Sequence, residues 1–244
     1  MCGRFTNEFT WAELHALYGL SDELFPMGPP SNMQPRFNIA PTQDVDFVAH
    51  NKTGVRELLT GRWWLVPFWA KELPKAAMFN ARIETVDSSP AFREAFKTRR
   101  CLIPADAYFE WTTSPVDGKK DPWLLHLPQH RGFSFAGIWA HNDNLGVTSC
   151  TIITAPAVEH IAHIHGRMPV ILEEEAYEDW LSGQAQGEDA KRILLNNHLD
   201  SQLEFFRVGR EVNNSRYEGT DTKKPLLNAL LWFGLQNSRS TPRS

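Results

Sequence analysis

The apolar positions of this sequence fall into many short runs of β-forming residues and a few stretches with helical spacing. A first helix is predicted after Thr10, because Thr10 and Glu13 form a capping-box pattern and the apolar residues that follow keep helical spacing as far as Gly19. A second helix is predicted to open at Ser89-Pro90 and to end within residues 97–100. Two further helices are predicted over residues 173–181 and 188–197, separated by Gly183 and Gly187.

Strands are predicted for most of the region between residues 45 and 154. Residues 45–50 and 55–66 are typical of a hairpin with a turn at 51–54, and Pro67 is expected to end its second strand. The other strands are predicted over residues 101–103, 108–112, 123–127, 133–140 and 147–154, with turns at Asp117-Gly118 and 142–146. Four prolines and a glycine within residues 26–35 predict a loop. The middle of the chain is therefore expected to form a largely antiparallel sheet.

Length and composition are those of an ordinary globular protein. The chain has 244 residues, of which 42% are hydrophobic, so it can bury a complete core. Its net charge of -4 counts against broad nonspecific binding of nucleic acids. The sequence has neither a membrane-spanning apolar run nor a secretory pattern, so a cytoplasmic protein is expected. Cys2, Cys101 and Cys150 are too few and too scattered for a disulfide framework, and the last two are expected to be inert buried thiols.

The N-terminus carries the first candidate chemistry. A small second residue normally permits removal of the initiator Met1, which would leave Cys2 with a free α-amine beside its thiol. The reference pKa values of these groups are about 7.7–8.0 and about 8.5, so part of each is nucleophilic near neutral pH. Such an aminothiol can condense with an aldehyde to a Schiff base and then close a thiazolidine ring through sulfur. The alternative is an inert terminus, because chain ends are usually frayed.

Asn80, Arg82 and Glu110 are polar residues in apolar surroundings. If residues 79–85 are extended, Asn80 and Arg82 project from the same face, where they suit a sugar oxygen and a phosphate. A salt bridge from Arg82 to Glu84 is the structural alternative. Glu110 lies between two aromatic residues of a predicted strand and points either to solvent or inward. If it points inward, burial would raise its pKa and suit it to proton transfer.

Two further groups of side chains have both a structural and a functional interpretation. His160, His163 and His165 lack a recognised zinc spacing, so we expect no metal site here. A single titrating histidine next to Arg167, which could hold an anion, is the favoured interpretation. The four large aromatic residues within 63–69 are either core residues or a stacking platform for bases.

Seven stretches in a fixed order resemble the SOS response-associated peptidase (SRAP) family. They are Met-Cys-Gly-Arg-Phe at 1–5, Arg-Phe-Asn-Ile-Ala-Pro-Thr at 36–42, Trp-Trp-Leu-Val-Pro-Phe-Trp at 63–69, Phe-Asn-Ala-Arg-Ile-Glu-Thr at 79–85, Arg-Arg-Cys-Leu-Ile-Pro-Ala-Asp at 99–106, Tyr-Phe-Glu-Trp at 108–111, and His-Gly-Arg-Met-Pro at 165–169. The resemblance implies a single α+β domain over residues 1–225, with a β-rich, largely antiparallel, barrel-like core and a few peripheral helices. Residues 226–236 would be an apolar extension, and residues 237–244 a disordered tail.

The same resemblance implies a function. In this family the mature N-terminal cysteine joins covalently to the ring-opened sugar of an abasic site in single-stranded DNA. By motif, Cys2 would supply the amine and thiol, Asn80 would orient the sugar, Glu110 would serve acid and base steps, and His165 would assist proton transfer. DNA contacts are implied for Arg4, Asn38, Pro41, Trp69, Arg82 and Arg167. The resemblance implies no cofactor and no metal, and the family is associated with removal of its own leading residue.

Two other functions stay open from the residues alone. The first is an N-terminal-nucleophile peptidase or amidohydrolase that uses Cys2 on an external amide. The second is a noncovalent single-strand binder, in which Trp63, Trp64 and Trp69 stack on bases. A monomer is expected in each case.

Overall fold

The structure is a computed structural model that describes residues 2–21, 34–130, 132–196 and 198–226. The α-helices are α1 (Trp11–Tyr18), α2 (Arg93–Thr98), α3 (Tyr177–Leu181) and α4 (Gly187–Asn196). The strands are β1 (Phe5–Asn7), β2 (Arg36–Ile39), β3 (Asp44–His50), β4 (Arg56–Trp63), β5 (Asn80–Arg82), β6 (Arg100–Ala105), β7 (Ala107–Thr113), β8 (Lys120–His126), β9 (Phe133–Asn142), β10 (Val147–Pro156), β11 (Arg167–Pro169), β12 (Ile171–Leu172) and β13 (Glu204–Arg207).

The described strands form two sheets. One has the order β13-β8-β7-β1-β2 and is antiparallel throughout. In the other, β10, β4, β3, β6 and β9 close into a ring, because β9 pairs with β10 as well as with β6. Only the pairings of β10 with β4 and β5 are parallel among those described. The predicted α+β fold with a largely antiparallel, barrel-like core is confirmed.

The N-terminal strand is part of the core. The ring of Phe5 lies edge-on to Trp63 at 5.0 Å and to Phe135 at 5.6 Å between centroids. Cys2 belongs to the same buried cluster. A second cluster lies on the helical side of the barrel and contains Tyr18. The chain start is therefore fixed by burial of apolar area instead of being frayed.

Sequence patterns predicted some element ends better than others. The Glu13 amide donates to the Thr10 hydroxyl at 3.3 Å and the Glu13 carboxylate accepts from the Thr10 amide at 2.7 Å, so the capping box of α1 is confirmed. Gly19 ends α1 in the left-handed region, with φ of 57°. By contrast, α2 begins at Arg93 instead of Ser89-Pro90, because residues 89–92 form turns. Strand β4 ends at Trp63, before Pro67, and the Leu65 amide donates to the Met78 carbonyl at 3.0 Å.

The remaining expectations about chain organisation concern the loop at 26–35 and the C-terminal residues. The predicted loop at 26–35 lies outside the described residues except for its last two positions. The tail at 237–244 and the extension at 226–236, apart from Leu226, also lie outside them. The Leu226 amide donates to the Arg207 carbonyl at 2.9 Å, so the described chain ends beside β13. None of the helices in the described part of the chain is long and apolar enough to cross a membrane.

Candidate functional site

Cys2 lies where the two sheets meet. The Phe109 amide of β7 donates to the carbonyl of Arg4 at 2.9 Å and so holds the segment before β1 against the first sheet. From the second sheet, Nδ2 of Asn80 in β5 donates to the backbone carbonyl of Cys2 at 2.8 Å. The Cys2 side chain is fully buried. Residues of both sheets that are distant from Cys2 in sequence thus fix its position.

The Cys2 thiol is held in its neutral form by its surroundings. Burial is the main cause that raises its pKa far above the usual value, and the negative charge of Glu110 raises it further. The Sγ atom lies 3.9 Å from the carbonyl oxygen of Arg4, to which it donates weakly. Any reaction that uses this sulfur must therefore remove its proton as the new bond forms.

Glu110 points inward from β7 and is only 4% exposed. Of the two orientations left open by the sequence, the structure shows the buried one. Burial raises the pKa of its carboxyl group, and the charge of a protonated His165 lowers it in part. Glu110 is thus a buried carboxyl group with charged neighbours, which is the environment of an acid or base in proton transfer.

His165 is oriented by the backbone of the next strand. Its Nδ1 atom lies 3.0 Å from both the amide nitrogen and the carbonyl oxygen of Arg167, so it accepts from the amide or donates to the carbonyl according to the tautomer. The neighbouring histidines face other groups: Nε2 of His160 lies 3.1 Å from the Leu203 carbonyl, and the ring of His163 lies against Trp123. In the described ranges, no group of three or more His, Cys, Asp or Glu side chains could hold a metal ion.

The two arginines of this region differ in their partners. Arg167 donates to both carboxylate oxygens of Glu84, at 2.8 and 3.0 Å, and to the Thr154 carbonyl at 2.7 Å. Arg82 is exposed and forms no ion pair with the described residues. The salt bridge to Glu84, which the sequence analysis considered for Arg82, is therefore formed by Arg167. Arg82 therefore keeps an exposed guanidinium two residues from Asn80, with no ion pair to the described residues, although its charge still helps to lower the pKa of Glu84.

Asn38 supports Arg4 from the interior. One Arg4 nitrogen donates to Oδ1 of Asn38 at 2.8 Å and to the Val212 carbonyl at 2.7 Å. Asn38 is fully buried, and its Nδ2 atom donates to the carbonyls of Asn214 and Tyr217 at 2.9 and 2.8 Å. The side-chain amide of Asn38 thus bonds to protein groups on both its oxygen and its nitrogen, and it is placed to orient Arg4.

The aromatic residues within 63–69 divide into core and surface residues. Trp63 is fully buried, whereas Phe68 and Trp69 are 51% and 54% exposed. Stacking on bases is therefore open to Trp69 and excluded for Trp63 in this conformation. On the neighbouring turn, Pro41 is half-buried and Thr42 has a φ of 80°, a strained backbone for a β-branched residue.

The structure adds residues that the sequence patterns did not identify. Trp111, Lys120 and Asn213 line an open depression of about 480 Å³ together with Gly3 and Arg4. The Arg4 guanidinium lies 5.9 Å from the centroid of the Trp111 ring, whose Nε1 donates to Asn213 at 2.6 Å. The position of Trp111 directly after Glu110 was the available signal, since neighbours on a strand face opposite sides. The depression combines an indole face with two cationic side chains.

A family model described as SOS response associated peptidase (SRAP) matches residues 1–215. The chain belongs to the SRAP family. Among SRAP relatives, abasic site processing protein YoaM of Bacillus subtilis is 35% identical over 221 residues, which cover 88% of this chain and 94% of that protein. Abasic site processing protein YedK of Escherichia coli is 27% identical over 231 residues, which cover 93% of this chain and 100% of that protein.

The fold of the SRAP chain also matches solved structures. A crystal structure of a protein from Bacteroides thetaiotaomicron superposes with a TM-score of 0.76 at 22% identity, and the match covers 92% of this chain and 100% of that one. A protein from Bordetella bronchiseptica gives a TM-score of 0.70 at 25% identity, covering 85% and 100% of the two chains. These matches agree with the two-sheet architecture described above.

Proposed function

We propose that this protein captures abasic sites in single-stranded DNA by forming a covalent bond through Cys2 after removal of Met1. The relatives named abasic site processing proteins support the substrate. The observation that carries the proposal is the placement of Cys2. Nδ2 of Asn80 donates to the Cys2 carbonyl at 2.8 Å, and the charge of the buried Glu110 carboxyl group acts on the Cys2 thiol. An abasic site is in equilibrium with an open aldehyde, and an aminothiol is well suited to capture this electrophile.

The reaction has two bond-forming steps. First the α-amine of Cys2 adds to the aldehyde carbon, water leaves, and an imine forms. The sulfur then adds to the imine carbon, the thiol proton passes to the imine nitrogen, and the thiazolidine ring closes. The imine alone would permit β-elimination and strand cleavage, whereas the ring removes this route. Capture in this form shields the lesion.

Glu110 and His165 handle protons in the first step. A buried carboxyl group with a raised pKa can protonate the ring oxygen of the sugar as it opens to the aldehyde. His165 lies close enough for its charge to lower the pKa of Glu110, and its orientation is fixed by the Arg167 amide at 3.0 Å. It can assist proton transfer as the imine forms and reverses. Asn80, next to the same carbonyl, would orient the sugar.

The DNA strand is expected to follow the exposed cations and aromatics around Cys2. Arg82 and Arg4 would hold phosphates, with Asn38 orienting Arg4 from behind. Trp69 and Pro41 would line the path of the bases. Arg167 would act near the phosphates while it remains paired with Glu84. Because arginine and phosphate contacts release counterions, binding should weaken as salt rises.

A denaturing gel tests the proposal. The mature protein is mixed with a single-stranded oligonucleotide that has one abasic site, and with an intact oligonucleotide as control. We expect a slow band that survives heat, requires the abasic site and is absent for Cys2→Ala. Cys2→Ser should yield only a labile Schiff base that borohydride traps. A stable adduct of Cys2→Ser would contradict the thiazolidine.

The same experiment separates the other functions. A noncovalent single-strand binder would give salt-reversible binding and no species that survives denaturation. An N-terminal-nucleophile hydrolase would give turnover of an amide substrate and no dependence on the abasic site. Mass spectrometry of the same samples shows whether Met1 has been removed. Retention of Met1 in Cys2→Ala, but not in the parent protein, would support self-removal.

A further inference from the structure

The Arg167 side chain joins three segments of the second sheet. Arg167 is the first residue of β11, and its guanidinium donates to the Thr154 carbonyl of β10 at 2.7 Å. The same guanidinium donates to both carboxylate oxygens of Glu84, which follows β5, at 2.8 and 3.0 Å. The side chain of Arg167 is only 17% exposed, so these charge-assisted bonds are partly shielded from solvent. They hold the start of β11 to the end of β5 across β10.

The backbone of Arg167 faces the imidazole of His165. Arg167 lies opposite Pro156 in the pairing of β10 with β11, and the Ala157 amide donates to the Gly166 carbonyl at 3.1 Å one position further along. Because bonded and non-bonded pairs alternate in an antiparallel ladder, the amide and carbonyl of Arg167 point away from β10. Both of these groups lie 3.0 Å from Nδ1 of His165. The position of the imidazole therefore follows the position of Arg167.

The other end of the ion pair lies near the residue that holds Cys2. Asn80 is the first residue of β5 and donates to the Cys2 carbonyl at 2.8 Å. Beyond β5, the Ile83 amide donates to the Thr154 carbonyl at 2.9 Å, which is the same oxygen that Arg167 binds. β5 and β11 have three residues each, and among the described strands both pair with β10 alone. The ion pair thus adds a direct link between two short strands that do not pair with each other.

We propose that the Glu84–Arg167 ion pair is a clamp that sets the position of the His165 imidazole relative to the amine of Cys2. This inference rests on the proposed function. Glu84 fixes the Arg167 guanidinium, the guanidinium fixes the start of β11, and the backbone of Arg167 fixes the imidazole. Glu84 is therefore a positioning residue that acts on the imine step through His165. Since misplacement of a reacting group by about 1 Å can slow a reaction on the order of 10²-fold, such a clamp has a large effect on rate.

A clamp and a simple phosphate contact predict different effects of removing the Glu84 charge. If Arg167 served only to hold a phosphate, the Glu84 carboxylate would compete with that phosphate. Glu84→Gln would then strengthen the binding of an intact strand and would not slow capture. In the clamp, the same variant leaves the Arg167 guanidinium with its Thr154 contacts alone. The imine then forms more slowly even when all of the DNA is bound, although binding of the strand does not weaken.

Glu84→Gln and Arg167→Lys test the clamp. Lysine keeps the positive charge, but it lacks the fork of donors that joins Glu84 to the Thr154 carbonyl. Imine formation is measured by borohydride trapping at a protein concentration that saturates the DNA, and binding of an intact strand by fluorescence anisotropy. We expect both variants to form the imine about tenfold more slowly and to bind the strand no less tightly than the parent does, within error. Urea unfolding shows whether each variant is folded, and a folded variant with the parent rate overturns the clamp.

His165→Ala shows whether Glu84 acts through the imidazole. Trapping over hours measures the slow reaction of this variant and of the double variant with Glu84→Gln. If Glu84 positions His165, Glu84→Gln slows the imine step of the parent but not that of His165→Ala, so the two effects do not add. A general disturbance of the fold would slow both proteins by the same factor, and this result would overturn the clamp. A parent-like rate for His165→Ala would overturn it as well.

Glu178→Gln is the matched control. Glu178 of α3 accepts from Arg56 at 2.9 Å, and Arg56 also donates to a backbone carbonyl, that of Tyr18, at 3.0 Å. This pair resembles the clamp in its contacts but does not involve β5, β10 or β11, so the variant should form the imine at the parent rate. Slowing equal to that of Glu84→Gln would overturn the clamp. A parent protein that forms no imine would instead overturn the capture reaction, and the clamp with it.

Discussion

The side-chain amide of Asn80 donates a hydrogen bond of 2.8 Å to the backbone carbonyl of Cys2. This bond joins β5 of one sheet to the chain start, which β1 anchors in the other sheet. Oδ1 of Asn80 is buried and has no hydrogen-bond partner among the described residues. One end of the amide therefore holds Cys2, and the other end is the atom that would accept from a sugar hydroxyl in the proposed reaction.

Replacing Asn80 should affect capture more than stability. In Asn80→Ala, the Cys2 carbonyl loses its donor and the amine loses its alignment with the aldehyde. Misplacement of a reacting group by about 1 Å can cost on the order of 10²-fold, so we expect a loss of that size in the rate of imine formation. The measurement is borohydride trapping over time. Asn144→Ala, at an exposed turn, is the control. Parent-like rates for Asn80→Ala would contradict its positioning role.

Glu110→Gln should slow the formation of the imine and make the folded protein more stable. Loss of an acid or base in proton transfer typically costs on the order of 10²-fold or more, which the trapping assay measures. Because the folded state raises the pKa of Glu110 above its usual 4.5, this group stabilises the fold below that pH. The stability is lost as the pH rises through the folded-state pKa. Glu110→Gln has no group that ionises here, so its unfolding free energy should exceed that of the parent by an amount that grows from pH 4 upward.

Glu84→Gln is the control with the opposite sign. The Arg167 hydrogen bonds lower the pKa of Glu84, so its contribution to stability is present above the unfolded-state pKa and lost in acid. Relative to the parent, Glu84→Gln should therefore become less stable as the pH rises. Urea unfolding of all three proteins at several pH values gives both comparisons. If the difference for Glu110→Gln did not change with pH, Glu110 would not be a buried ionisable group.

Asn38→Ala should destabilise the fold. It removes the donor to the Asn214 and Tyr217 carbonyls and the acceptor for Arg4, all of which lie near the C-terminal end of the described chain or at its start. Loss of such a buried network is expected to lower the unfolding free energy by roughly 2–4 kcal/mol. Urea unfolding measures this. A change as small as about 0.5 kcal/mol, typical of an exposed substitution, would mean that the hydrogen bonds of Asn38 to Asn214 and Tyr217 do not stabilise the fold.

Local patterns predicted the elements whose signals lie within a few residues. The capping box at Thr10 and Glu13 needs only its own turn, and the β3–β4 hairpin needs only an alternating pattern and a turn. The start of α2 was wrong because Pro90 is equally suited to a turn before a helix. The β9–β10 hairpin is local, but closure of the barrel also depends on the parallel pairing of β10 with β4, which lie far apart in sequence, and periodicity does not encode such a pairing.

The candidate site shows the same division. Cys2 was identifiable because its chemistry follows from its position in the chain. The partner of Glu84 was not identifiable, since Arg82 is near in sequence while Arg167 reaches it through the β10–β11 pairing. Likewise, Asn38 is satisfied by carbonyls more than 170 residues away. Residue type predicts which interactions a side chain can form, and tertiary contacts decide which group becomes its partner.

Arg82 and Arg167 should therefore respond differently to the same substitution. Arg82→Gln removes an exposed guanidinium without an ion pair in the described structure, so stability should not change. Binding of an intact single strand should weaken, and the slope of log affinity against log salt should fall by about 0.7 for the one lost phosphate contact. Arg167→Gln leaves Glu84 and the Thr154 carbonyl without their donor and should also lower the unfolding free energy by about 1 kcal/mol.

Fluorescence anisotropy over a salt series, combined with urea unfolding, measures both effects. Arg192→Gln is the control, because Arg192 is exposed on α4 and pairs only with Asp189 of the same helix among the described residues. It should change neither the salt slope nor, appreciably, the stability. If Arg82→Gln kept the parent slope while Arg192→Gln lowered it, the DNA strand would follow α4 and not the face around Cys2. Arg82 would then have no role in binding.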